Sequence, residues 1–118
     1  MLTLSEATIK RGQIFYADLS PARGSEQGGL RPVLIVSNDI NNARSTTVTI
    51  CPITSQVKKP IPTHATLYPI EGRTIKGTIL CEQVRIIDKC RLSKYMGEAT
   101  AEEMARVSKA LKIQLNLF

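Results

Sequence analysis

The chain has 118 residues, 42% of them hydrophobic and 22% charged, with a formal net charge of +6. That length suits one domain with one modest core, and the proportions are those of a soluble globular protein, excluding fibrous and low-complexity classes. The aliphatic run Val33–Val36 is far too short to span a bilayer. The start MLTLSEATIKRG also lacks the basic and apolar regions of a signal peptide, so a cytoplasmic protein without a membrane partner is expected.

Gln13 to Leu19 is a short, β-rich run after Gly12. Ser20 to Leu30 reads as a loop, punctuated by Pro21, Gly24, Gly28 and Gly29. Pro32 to Val36 is a near-continuous apolar strand, closed by turn-prone Ser37-Asn38-Asp39, with a second turn at Asn41-Asn42. Thr46 to Thr54 is the next strand, in which Pro52 predicts an edge or a bulge. A polar loop follows over Ser55 to Thr63. His64 to Tyr68, Thr74 to Cys81 and Val84 to Ile87 read as further strands, with turns at Gly72 and Gly77. At the C-terminal end Thr100-Ala101-Glu102-Glu103 fits a capping box. Met104, Val107, Leu111 and Leu115 then recur at helical spacing, predicting about four turns of amphipathic helix. The fold class is therefore mainly β with a C-terminal helix, a small and mostly antiparallel barrel spanning residues 1–118 as a single domain.

The catalytic inventory is informative through its gaps. His64 is the one histidine, so no two-histidine acid/base pair can form, and a structural place at a strand start suits it. Cys51, Cys81 and Cys90 form no C-x-x-C pair and read as reduced, mostly buried thiols. No motif for a phosphate loop, a nucleophile elbow or a cluster of metal ligands is present, so neither metal nor cofactor is expected. What remains are arginines, hydroxyls and isolated carboxylates. Arginine offers phosphate a planar fork and a charge that does not titrate away, and a basic domain attracts polyanions. In GSEQGGLRPV, Pro32 pushes Arg31 into an extended conformation and the preceding glycines let a ligand approach the backbone.

The stretches RGQIFYADLSPARGSEQGGLRPVLIVSND, ICPITSQ, PTH and CEQVRIIDKCRL resemble the MazF/PemK family of toxins from bacterial type II toxin-antitoxin pairs, nearest to its Bacillus-type branch. The resemblance implies an SH3-like barrel of the CcdB/MazF toxin fold. It further implies a homodimer, restrained by an acidic MazE-like antitoxin, that cleaves single-stranded RNA without metal. It implies Arg31 and Thr54 as the catalytic pair, Arg31 stabilising charge on the phosphorane and Thr54 donating to the same phosphate. In the plasmid PemK/Kid branch a histidine, an arginine and an aspartate are assigned the chemistry; here those positions hold Ser25, Leu80 and Glu82. RNA contacts are expected from Ser25, Glu26 and Gln27 in the loop, and from Glu82, Gln83 and Arg85 near a strand end. A surface Arg85–Glu82 pair is the plainer alternative for the last group. Lys58 and Lys59 add non-specific attraction to phosphate.

Two other functions are open to such a fold. A CcdB-like gyrase poison would rely on a tryptophan, and the chain has none. A non-catalytic RNA-binding barrel would stack bases on aromatic side chains, and only 4% of this chain is aromatic.

Overall fold

The computed structural model describes residues 8–56 and 58–118. Residues 1–7, on which the signal-peptide reading partly rests, and Val57 of the polar loop lie outside the described residues. Among the described residues seven strands run in the order β1 (Gln13–Asp18), β2 (Leu30–Ile35), β3 (Thr47–Thr54), β4 (His64–Leu67), β5 (Gly77–Leu80), β6 (Arg85–Asp88) and β7 (Leu92–Glu98). The same residues form two α-helices, α1 (Asp39–Arg44) and α2 (Ala101–Gln114). The spatial order is β4-β5-β3-β2-β1-β7, with β6 pairing to β3, and every ladder is antiparallel. This is the expected β domain with a terminal helix, barrel-like although the ladder between β4 and β7 does not close.

The central strands are buried on both faces, which explains their near-continuous apolar sequence. Period-2 alternation sends Ile14, Leu34, Cys51 and Ile53 into a core shared with Val107 and Ala110 of α2. Phe15, Val33, Ile35, Val48 and Ile50 pack into a second core on the other face. The helix starts as its sequence dictates: the Thr100 side chain accepts from Glu103 N and the Glu103 carboxylate accepts from Thr100 N.

Three expectations are corrected. Asp39–Arg44 is a short helix instead of two turns, because the Asn38 side chain accepts from Asn41 N and caps it. Leu92–Glu98 is a strand that the polar sequence LSKYMGE hides; it is an edge strand with Leu92 as its one buried residue and two register shifts against β1. Pro52 is not on an edge, since β3 is central. Its partner on one side is Val33, and on the other β6 ends opposite Ile50 while β5 begins opposite Ile53. A residue without an N–H is tolerated at that break. The 3₁₀ turn Cys81–Gln83, which joins β5 to β6, belongs to the same region.

A buried ion pair fastens α2 to the sheet. Arg73 Nη1 lies 2.7 Å from Glu103 Oε1 and Nη2 2.9 Å from Oε2. Arg73 also donates to the carbonyls of Glu98, Ile75 and Tyr68. Burial penalises the Glu103 carboxylate, but the hydrogen bonds from Arg73 and from the Thr100 and Tyr68 amides outweigh it, lowering the pKa from 4.5 to about 2. An unfolded chain takes up that proton near the higher value. The stability contributed by ionised Glu103 is therefore complete above about pH 4.5 and is lost as pH falls towards 2. Urea titrations across this window should show a loss on the order of 2–3 kcal/mol from this group. Glu103→Gln should flatten that part of the profile, and an unchanged profile would remove Glu103 from the acid response.

Candidate active site

Arg31 lies in β2, opposite Ala17 of β1. It is half-buried, and its Nε donates to the Gly28 carbonyl at 2.8 Å. The β2–β3 pairs are Ile35–Ile50, Leu34–Cys51 and Val33–Pro52; Arg31 stands two residues before the last of these pairs on β2, and Thr54 two residues after it on β3. Strand alternation puts Thr54 on the same side of β3 as Pro52, whereas Arg31 lines a cleft with Tyr16, Pro32, Ile53 and Ser55. Thr54 ends β3 and is buried, with Oγ1 accepting from Gln56 N at 3.3 Å. A hydroxyl that accepts one bond still has a hydrogen to donate.

A cleft of about 380 Å³ is lined by Glu26, Gln27, Pro52, Glu82, Gln83, Val84 and Arg85. Five of the six residues expected to meet RNA thus surround one space, drawn from a loop and a turn more than fifty positions apart. Ser25 is exposed and adjoins it, its carbonyl accepting from Gln83 Nε2 at 3.3 Å. A second cleft of about 340 Å³ adjoins Arg31, with Tyr16, Pro32, Ile53 and Lys76 in its walls.

Several side chains are already engaged. The Glu26 carboxylate accepts from Arg23 N within its own loop at 3.0 Å. Gln83 Oε1 accepts from Gln27 N at 2.8 Å. Glu82 does not pair with Arg85; its Oε2 lies 2.8 Å from His64 Nε2, and His64 opens β4 in the structural place expected for it. Among the described residues, Gln27 Oε1 and Glu82 Oε1 are buried without a partner. Carboxylates on a cleft wall suit a base edge better than a phosphate. Cys51 and Cys81 are free and buried as expected, whereas Cys90 is exposed. Among the described residues no three His, Cys, Asp or Glu side chains form a metal-binding group, and no helix is long and apolar enough to cross a membrane.

The sequence did not show Gly77 as part of the site. It is the first residue of β5, not a turn, and a Cβ there would lie 1.9 Å from the Thr54 carbonyl oxygen. Its signal was the lone glycine opening an apolar run, which marks close backbone approach as readily as a turn.

A small antiparallel β domain with an arginine, a buried hydroxyl and an adjoining polar cleft is a scaffold for handling a polyanion. Residues 10–115 match the family described as PemK-like, MazF-like toxin of type II toxin-antitoxin system, and the chain belongs to that family. It is 45% identical to the endoribonuclease EndoA of Bacillus subtilis strain 168, over 92% of this chain and 96% of that protein. The fold is similar to that of MazF from Deinococcus radiodurans, with a TM-score of 0.82 and 28% identity over 94% of this chain and 99% of that one. It is also similar to a mycobacterial endoribonuclease solved with its cognate antitoxin, with a TM-score of 0.80 and 28% identity over 93% and 97% of the two chains.

Proposed function

We propose that this protein is the toxin of a type II toxin-antitoxin pair, a cytoplasmic endoribonuclease that cuts single-stranded RNA and so blocks translation. The observation that carries the reading is the cleft lined by Glu26, Gln27, Glu82, Gln83 and Arg85, with Arg31 and Thr54 each two residues from the Val33–Pro52 pair on the two strands beside it. In this reading the ribose 2′-hydroxyl gives up its proton and its oxygen attacks the adjacent phosphorus, the bond from phosphorus to the 5′-oxygen breaks to leave a cyclic phosphate, and the 5′-oxygen takes up a proton to depart as a hydroxyl. Arg31 stabilises the charge that builds on the phosphorane oxygens, where a preorganised donor acts most strongly. Thr54 donates a hydrogen bond to the same phosphate. The cleft of Gln27, Glu82 and Arg85 holds a neighbouring nucleotide.

The chain pairs with a second copy, which adds buried area to a small barrel. An acidic, MazE-like antitoxin segment covers the RNA surface, drawn by the formal charge of +6. The endoribonuclease names of the relatives support this reading, and no observation favours a gyrase poison or a non-catalytic RNA-binding barrel.

The experiment is cleavage of a defined single-stranded RNA with mapping of the new 5′ ends. Products with a 5′-hydroxyl, formed equally well in EDTA, are expected, as is resistance of a substrate with a 2′-deoxy sugar at the scissile position. Equal cutting of the deoxy substrate, or loss of activity in EDTA, would overturn the proposed chemistry.

A further inference from the structure

The Gln83 side chain spends both of its polar atoms on the loop that precedes β2. Oε1 accepts from Gln27 N at 2.8 Å, and Nε2 donates to Ser25 O at 3.3 Å. Among the described residues these are the sole hydrogen bonds joining residues 22–27 to another part of the barrel. The turn that carries Gln83 is itself well anchored: Cys81 is fully buried, its N–H donates to Thr63 O at 3.0 Å, and its carbonyl accepts from Val84 N at 3.3 Å.

The next residue along the loop is Gly28, whose carbonyl holds Arg31 Nε. Gly28 packs so closely on Ala22 that a Cβ would lie 2.3 Å from the Ala22 methyl. The clamp at Gln27 and the grip on Arg31 thus fall on consecutive residues of one tightly folded loop. We infer that Gln83 is a positioning residue for Arg31: it pins the loop, the pinned Gly28 carbonyl sets the guanidinium, and Gln83 itself reads no base. This replaces the sequence-based expectation that Gln83 contacts RNA, and it rests on the role given to Arg31 above. Misplacing a catalytic group by about 1 Å can cost on the order of a hundredfold, so loss of the clamp should be visible in rate.

The test uses Gln83→Met, of similar length but without either hydrogen bond, and Gln83→Glu, which keeps an acceptor for Gln27 N–H. Each is assayed on one long RNA with many cleavage sites. Gln83→Met should cut every site about tenfold or more slowly, through kcat with KM little changed, while the ranking of sites stays that of wild type. Gln83→Glu should recover most of kcat. Hydrogen exchange at the Gln27 amide should quicken in Gln83→Met at an unchanged Tm. A changed ranking of sites would assign Gln83 to base reading instead. Wild-type kcat with quickened exchange would separate the clamp from catalysis, and unaltered exchange would show there is no clamp. Should Gln83→Met fail to fold, Gln83→Ala carries the same arms. A wild-type protein that cuts no RNA would sink the reading of the whole site, a result distinct from all of these.

Discussion

Arg31→Ala is expected to slow RNA cleavage by about a hundredfold or more, the usual cost of removing one donor aimed at developing charge. Folding should barely change. Arg31 is only half-buried and belongs to neither core, and truncation forfeits a single hydrogen bond, to Gly28 O. Arg31→Lys should recover little, because an ammonium cannot both hold the Gly28 carbonyl through a secondary nitrogen and turn a planar fork to phosphate. Thr54→Ala should fall in the same direction by a smaller factor, since it removes a neutral donor. Single-turnover rates on one RNA, with thermal melts run alongside, decide the matter. Wild-type turnover by either alanine variant would remove that residue from the chemistry.

The parts of this molecule legible in the sequence are those written locally. The helix α2 shows in the Thr100 and Glu103 box and in the spacing of Met104, Val107 and Leu111, and the central strands show in their apolar runs. The edge strand β7 does not show, since Leu92 is its one buried residue and two register shifts break its pairing with β1, leaving no regular alternation. Resemblance pointed to the individual site residues, but their grouping is written in no local signal. Gln27 and Gln83 are 56 positions apart, and Arg73 and Glu103 are 30. Pro52 shows how a local rule misleads: it excluded the residue from a fully paired strand, and the fold met that constraint by splitting the outer side of β3 between two partners. The split lies where the turn bearing Glu82 and Gln83 joins β5 to β6, with Pro52 in the cleft wall. One proline thus links the topology of the sheet to the position of the cleft.

Gly77→Ala tests whether the backbone of Thr54 is held by that same architecture. Gly77 has φ +132°, which side-chain-bearing residues rarely adopt, and a Cβ there would approach the Thr54 carbonyl oxygen to 1.9 Å and the Ser55 Cα to 2.9 Å. Backbone strain of about 1–3 kcal/mol would add to a clash with backbone, which has no rotamer to yield, so a loss on the order of 3 kcal/mol or more is expected. Because Thr54 pairs with Thr78 at the start of β5, relief of the clash must move Thr54 or peel β5 from β3. Activity should therefore fall even at temperatures where the variant remains folded, as misplacement by about 1 Å suffices to lower the rate. Gly72→Ala is the control, with φ +82° and open space around its Cβ position; it should lose some stability and keep its turnover per folded molecule. Thermal melts and cleavage rates on both variants separate the two effects. A Gly77→Ala protein that melts and cuts like wild type would show that the close approach of β5 does not set the position of Thr54.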